Sequence, residues 1–315
     1  MVLAYKAQET IIAAIDGALA QTVPCEIIIS DDASPDNTFA LAKSHCANYS
    51  GDHRVVVRRN EVNQGVTAHL NGLLGMANGT IIMVMAGDDI SYPHRVSETI
   101  KAFDENPEAF VMGSCCDEID MQGNPLRYAV RALPERFNLR YFAEVGKLAT
   151  LLGAAMSFRR EIFDQFGPLR GSVEDNVLTL RGALLGGGLC LPTALIQYRQ
   201  NPQSLGNWLF ARGDKTSQAF RRRYERTCAM YLAIADDLES CLDKASFTPE
   251  QVKTAKNIIN IYRLEAEART AILNKPRMEW LRPIWRGLRQ PGLRRKSLER
   301  AIKLFIPKSW FGLKS

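Results

Sequence analysis

No apolar run in this 315-residue chain approaches the ~20 residues that a membrane span requires. The N-terminus carries no signal peptide, so the expectation is a cytoplasmic protein. Cysteine lacks a pattern: the seven residues at 25, 46, 115, 116, 190, 228 and 241 form neither a CxxC pair nor a Cys/His zinc spacing. Cys115 and Cys116 are adjacent, which is poor geometry for a structural disulfide, and the set reads as reduced thiols. There is no internal repeat and no low-complexity segment, which leaves an ordinary globular architecture.

Hydrophobic content of 46% and charged content of 23% are globular values. The length supports a full core and one large domain, or one and a half. Charge is unevenly placed. Residues 275–315 hold 12 Lys and Arg against 2 acids, so the overall +6 divides into +10 for this tail and about −4 for the rest. A mildly acidic body with a strongly basic tail predicts a tail that meets something anionic.

The chain opens on a short apolar run, Val2 to Tyr5, and a helical pattern. Cys25 to Ile29 predicts a buried strand, closed by the polar cluster Ser30 to Thr38, which suits a turn and the N-cap of a helix from Phe39. A third strand is expected over 54–58 and a helix over 66–77. Ile81 to Met85, five apolar residues in a row, suits a strand buried on both faces, and it stops at Asp88 and Asp89. Carboxylates at the carboxyl end of such a strand lie where open α/β sheets bind ligands. Two side by side repel, so a site that keeps both offers them a cation or a hydroxyl-rich ligand; the bland alternative is a solvated turn. Strand and helix alternation predicts βαβ units, with Tyr5, Asp31/Asp32 and Asp88/Asp89 on one sheet edge.

Further on, a helix is expected over 96–106, a strand over 110–115, a hairpin or loop over 116–125 and an irregular stretch over 126–148. A strand within 152–160 and a helix over 161–166 follow, the helix stopped by Gly167-Pro168. Glu174-Asp175 opens a helix to Leu185, and 189–198 is the last strand before a polar loop. Residues 217–241 and 249–273 read as an antiparallel helical hairpin, the second helix starting at Thr248-Pro249-Glu250.

The blocks LAYKAQETI, EIIISDDASPDNT, NQGVTAHLNGLL, NGTIIMVMAGDDISYPHRV and VEDNVLTLRGALLGG, taken in order, resemble family 2 glycosyltransferases of the bacterial surface-polysaccharide type over roughly residues 1–200. The resemblance implies a GT-A-like, Rossmann-related α/β fold, with a mostly parallel sheet flanked by helices, over residues 1–210. Residues 1–95 would be its nucleotide-sugar half and 96–210 its acceptor half. The hairpin, 211–274, and the basic amphipathic tail, 275–315, form a C-terminal helical extension. The implied activity is inverting transfer from a UDP- or dTDP-sugar to a glycan or lipid-linked acceptor in cell-surface polysaccharide biosynthesis.

Each chemical need of that reaction has a candidate. The resemblance implies that Asp31 or Asp32 accepts the imide N–H of uracil or thymine; strand alternation lets only one point inward easily, and capping of the next helix is the structural alternative. Tyr5 is expected at the base pocket or in the core. Asp89 is the expected ligand of Mg²⁺ or Mn²⁺, with Asp88 toward the ribose or a metal-bound water. Asp175 matches the catalytic base of inverting members, and its place at a helix N-terminus favours the ionised form.

The sequence departs from the family pattern at Lys6, where many members have Asn, at Leu70, where many have Arg, and at Asn201, where a His is frequent. The short first strand and Lys6 raise the alternative of a start upstream of Met1. A metal-dependent nucleotidyltransferase would carry a Gly-rich phosphate loop that Ala4 to Glu9 does not supply. A catalytically inactive glycan-binding or scaffolding relative is the other alternative. The tail, with Trp280, Trp285, Trp310 and Phe311 among its basic residues, is expected to lie on an anionic bilayer surface, making the protein peripheral on the inner face of the cell membrane. The alternative is packing on the body; no nucleic-acid-binding fold accompanies the charge.

Overall fold

The computed structural model describes residues 1–171, 173–201 and 217–306. It divides into two compact units, Met1–Asn138 with Thr150–Gln200, and Leu139–Ala149 with Asn201–Ser315.

In the first unit, β1 (Val2–Ala4), α1 (Ile11–Leu19), β2 (Glu26–Asp31), α2 (Thr38–Cys46), β3 (Arg54–Arg59) and α3 (Val66–Met76) alternate as their sequence patterns predict. The strands are parallel: Ala4 stands opposite Asp31, and Asp31 opposite Arg59. Ile27 and Ile29 of β2, Val2 and Ala4 of β1, and Ile11, Ala14, Ile15 and Ala18 of α1 share one buried core.

The apolar run before Asp88 departs from expectation. It forms two short strands, β4 (Ile81–Met83) and β5 (Met85–Ala86), in different sheets. The amide of Val84 donates to Met156 O, whereas that of Met85 donates to Met1 O. Successive residues thus bond in opposite directions, and the chain steps from one sheet into the other. β5 completes the parallel sheet in the order β3–β2–β1–β5. At Gly87 an added Cβ would come within 2.9 Å of Ala4 Cβ, so only glycine lets the chain cross the end of β1 this closely.

The second sheet is mixed. It contains β4, β6 (Ile90–Ser91), β7 (Val111–Ile119), β10 (Ser157–Arg159) and β11 (Gly188–Arg199), in the order β4–β10–β7–β11–β6. α4 (Arg95–Glu105) precedes β7. β8 (Pro125–Val130) pairs with β7 and β9 (Arg136–Phe137) with β11, so residues 126–148, expected to be irregular, contain two strands and α5 (Leu139–Val145), a helix of the other unit. The sequence hides β8 because five of its six residues are exposed and one half-buried, leaving no alternation to read. What holds it is the Asp120 turn, with Gly123 at φ 90°, and a bidentate ion pair from Arg127 to Glu118. A 3₁₀ turn (Gly153–Ala155), α6 (Glu161–Phe166) and α7 (Glu174–Leu185) complete the unit. Gly167, at φ 70°, ends α6 as predicted.

In the second unit, α8 (Ser217–Leu242) and α9 (Pro249–Asn274) form the predicted hairpin. Thr248 caps α9 in a reciprocal capping box with Gln251. Then come a 3₁₀ turn (Arg277–Trp280), α10 (Leu281–Leu288), a second 3₁₀ turn (Pro291–Leu293) and α11 (Arg294–Lys303). Pro283 stands in the first turn of α10, where its missing N–H costs nothing, and does not break the helix.

Trp280, expected at a membrane surface, is instead core. It packs with Ala271, Ile272, Leu273 and Ile284, and its indole N–H donates to Lys275 O at 3.1 Å. The reason lies in α9, whose last turn leaves an apolar face that the tail covers. Beneath it Glu265, fully buried, takes two bonds from Arg300 at 2.6 and 3.0 Å and one from Lys296 at 3.2 Å. Hairpin and tail therefore form one unit together with 139–149. The expected boundary at 210 and the residues Trp310 and Phe311 lie outside the described residues.

Candidate active site

The carboxyl edge of the parallel sheet is where Tyr5, Asp31, Asp32, Asp88 and Asp89 gather. Asp31 ends β2 and Asp32 follows it, and their surroundings separate the two. Asp32 Oδ1 accepts from Asn60 Nδ2 at 2.7 Å and from the amide of Gln64 at 2.9 Å, and Oδ2 from the amide of Gly65 at 2.9 Å. Both of its oxygens are used to shape the loop into α3. Asp31 Oδ2 accepts from the Ser34 amide at 3.0 Å and faces Arg59 Nε at 3.2 Å, while its buried Oδ1 has no partner among the described residues. A buried acceptor left open is costly.

Two turns beside this pair hold left-handed backbone at non-glycine residues, Lys6 at φ 53° and Ala33 at φ 56°. Cross-bonds hold them: the Lys6 amide donates to Ser34 Oγ, the Asp32 amide to Ala4 O and the Ala7 amide to Thr38 Oγ1. Asn is better tolerated than Lys at positive φ, so Lys6 stands in a backbone conformation that disfavours it. Tyr5 is 47% exposed at the end of β1, with Lys6 Nζ 5.3 Å from its ring centre.

Asp88 and Asp89 follow β5 on the same edge and face differently. Asp89 is 1% exposed; its Oδ1 accepts from the Arg199 amide at 2.8 Å, and its Oδ2 has no partner among the described residues. Burial, then the neighbouring charge of Asp88, lifts its carboxyl well above the usual range. Asp88 is half-buried. Its carbonyl accepts from Arg199 Nε at 2.8 Å, and Arg199 also donates to Asp120 O and Met121 O. Arg199 therefore pins the turn that carries both acids. It lies in β11 and not in the predicted polar loop; nothing local in the sequence signals this, because its partners are about 80 to 110 positions away.

Asp175 lies in the first turn of α7. Its Oδ1 accepts from the Asn176 amide at 2.7 Å. Two contacts tie this turn toward the sheet edge. A Cβ on Gly153 would lie 3.6 Å from Asp175 Cβ, and that 3₁₀ turn packs on β5 and β7. Glu174 Oε2 accepts from Thr67 Oγ1 of α3 at 3.2 Å. The helix N-terminus does not leave Asp175 strongly acidic, contrary to expectation. Burial first, and then the charge of Glu174, push its carboxyl up to about 7. Desolvation outweighs the dipole because the first-turn benefit is about 1 kcal/mol, less than the cost of a poorly solvated anion.

Among the described residues, no three His, Cys, Asp or Glu side chains gather into a ready cage for a metal. Two adjacent carboxylates, one with an unpartnered oxygen, are instead the kind of donor set that holds Mg²⁺ or Mn²⁺ jointly with ligand phosphates, and in that sense the residues fit.

The sequence model of Glycosyl transferase family 2 matches residues 1–167. EpsE of Bacillus subtilis, which carries the name of a glycosyltransferase, is 32% identical over 38% of this chain and 44% of its own. The succinoglycan biosynthesis protein ExoO of Rhizobium meliloti is 32% identical over 40% of this chain and 35% of its own. The Escherichia coli enzyme WfaP, a UDP-Glc:α-D-GlcNAc-diphosphoundecaprenol β-1,3-glucosyltransferase, is 32% identical over 32% and 38%. The chain thus spans less than half the length of these curated relatives. Among solved structures, Staphylococcus aureus TarS in complex with UDP-GlcNAc superposes with a TM-score of 0.61 at 15% identity, over 96% of this chain and 90% of that one. The mannosyltransferase PcManGT of Pyrobaculum calidifontis, with GDP-Man and Mn²⁺, gives 0.52 at 14% identity, over 99% and 81%. The fold is that of GT-A glycosyltransferases.

Proposed function

This chain belongs to glycosyl transferase family 2, and from that premise we propose that it is an inverting transferase. It would move a sugar from a UDP- or dTDP-sugar to a glycan or lipid-linked acceptor in surface-polysaccharide assembly. The observation that carries the reading is Asp175, a carboxyl poised near neutrality in the unit whose sheet edge holds Asp31 and Asp88. A general base works best when its pKa lies near the operating pH. Asp175 takes the proton of the acceptor hydroxyl as that oxygen attacks the anomeric carbon. The bond from that carbon to the diphosphate oxygen breaks on the opposite face, and the nucleoside diphosphate leaves with the electron pair.

Asp31 Oδ1 is the acceptor for the imide N–H of the base, with Tyr5 beside it, while Asp32 shapes the loop. Asp89 is the proposed ligand of the cation through its Oδ2, with half-buried Asp88 toward the ribose or a metal-bound water. A bound Mg²⁺ or Mn²⁺ would neutralise charge gathering on the leaving diphosphate. The ligands named for TarS, PcManGT and WfaP support a nucleotide-sugar donor, and WfaP supports a lipid-diphosphate acceptor. The test is donor hydrolysis across a set of nucleotide sugars, with and without Mn²⁺. Cleavage that Asp175→Asn abolishes supports the reading, and full activity in excess EDTA removes the metal from it.

The tail is proposed to meet an anionic bilayer, though not through Trp280. Among the described residues no helix is long and apolar enough to cross a membrane. Met278, Leu281 and Trp285 recur at helical spacing and are exposed, as are Leu298, Ile302 and Phe305, with Arg282, Arg289 and Lys303 interspersed. Each Lys or Arg near an anionic surface contributes about 1 kcal/mol. Flotation with anionic vesicles should weaken at high salt yet persist, and Trp285→Ala with Phe305→Ala should remove the persistent part.

A further inference from the structure

Helix α3 touches both ends of the reaction's machinery. At its start, the amides of Gln64 and Gly65 are fixed by Asp32, the neighbour of the proposed base-reading Asp31. In its middle, buried His69 Nε2 lies 2.6 Å from Ser30 Oγ of β2. Its other face meets the segment leading into α7. Asn71 makes a reciprocal pair with Leu169, Nδ2 to the carbonyl at 2.9 Å and the Leu169 amide to Oδ1 at 2.8 Å. Thr67 Oγ1 reaches Glu174 at 3.2 Å. A side-chain amide that satisfies one residue's N–H and C=O together holds it much as a neighbouring strand would. Arg181 donates to Gly167 O at 2.7 Å and Pro168 O at 3.1 Å, holding the chain just ahead of Leu169.

We propose that Asn71 and Thr67 are positioning residues, through which α3 holds Leu169 and Glu174, and with them Asp175, in register with the donor site. This rests on the reading of Asp175 as the base. Neither residue touches a reacting atom. They act because α3 is rigid and is anchored to β2 at Ser30 and Asp32, so a donor seated against Asp31 and the base that serves it share one frame. A near-attack geometry is lost with displacements of about 1 Å, which can cost on the order of a hundredfold in rate.

The test uses the full chain with Asn71→Leu, Thr67→Val and Thr67→Ser. Asn71→Leu keeps the branching at Cγ and removes both bonds; Thr67→Val keeps the shape and removes the hydroxyl; Thr67→Ser keeps the hydroxyl. Expected is a fall in kcat for transfer of about tenfold or more for Asn71→Leu and a smaller fall for Thr67→Val. KM for the donor and the affinity for the nucleoside diphosphate should stay within about twofold. Thr67→Ser should restore kcat. The proposal is overturned if the losses appear in donor KM with kcat unchanged, if Thr67→Ser is as impaired as Thr67→Val, or if the variants behave as wild type. Asp175→Asn separates the two readings. If it remains active, the assignment of the base falls. If it is inactive while Asn71→Leu and Thr67→Val are normal, only the positioning proposal falls.

Discussion

Asp175, the proposed base, is held near pH 7 by burial, so it should cost the fold stability whenever it is ionised, and Asp175→Asn measures that cost. The carboxyl titrates at about 7 in place of its ordinary 3.8. Ionising it in the folded protein therefore costs about 4 kcal/mol relative to the unfolded chain, and local relaxation reduces this to roughly 2–4 kcal/mol. The sign follows from linkage. A folded pKa raised above the unfolded one contributes stability that is fully present below about pH 4 and lost as pH rises through 7. Asparagine, which never ionises, should escape that loss. The variant should be more stable than wild type at pH 8, and the difference should shrink to nothing by about pH 4. For units of this size, 1 kcal/mol moves Tm by about 2–4 °C, so a rise of at least 4 °C at pH 8 is expected from thermal unfolding followed by circular dichroism. Transfer by the same variant should be abolished, and wild-type kcat should show an acid limb near pH 7. A variant less stable than wild type at pH 8, or a wild-type rate flat from pH 5 to 8, would refute the reasoning.

Ala33→Gly should relieve left-handed strain of about 1–2 kcal/mol, less the extra chain entropy of glycine, and raise Tm by about 1–4 °C. Asp32→Ala strips three bonds from the loop into α3 and should cost about 3 kcal/mol in urea unfolding. Asp31→Asn should leave the fold intact and weaken UDP binding about tenfold in calorimetry. Glu265→Gln leaves buried Arg300 and half-buried Lys296 and Arg269 without their shared counter-charge. A loss of about 3 kcal/mol is expected, read as a lower urea midpoint at unchanged slope.

Much of this molecule was legible because its elements report locally. The alternation of β1 through α3, the glycine stop at Gly167, the capping box at Thr248 and the hairpin all follow from periodicity, turn chemistry and capping, which act within a few residues. The ordered family blocks carried the candidate acids as well. The strands of 126–148 were not legible, because β8 exposes nearly every side chain and so shows no period. The split of residues 81–86 between two sheets was equally hidden, because only the partners, Met156 and Met1, decide it.

The sequence by itself determined which residue types stand at the carboxyl ends of the strands, and therefore where the candidate site lies. Tertiary structure alone decided what each acid bonds to there. Asp31 and Asp32 are identical in chemistry and adjacent, yet one spends both oxygens on the Gln64–Gly65 loop and the other keeps Oδ1 open. Asp89 is turned inward by an amide 110 residues away, and Asp175 titrates near neutrality because of what surrounds it. Trp280 shows the same division: composition marks it as an interfacial aromatic, but the face of α9 opposite it makes it core. Solvation and hydrogen-bond partners are properties of neighbours brought together by folding, and no local pattern encodes them.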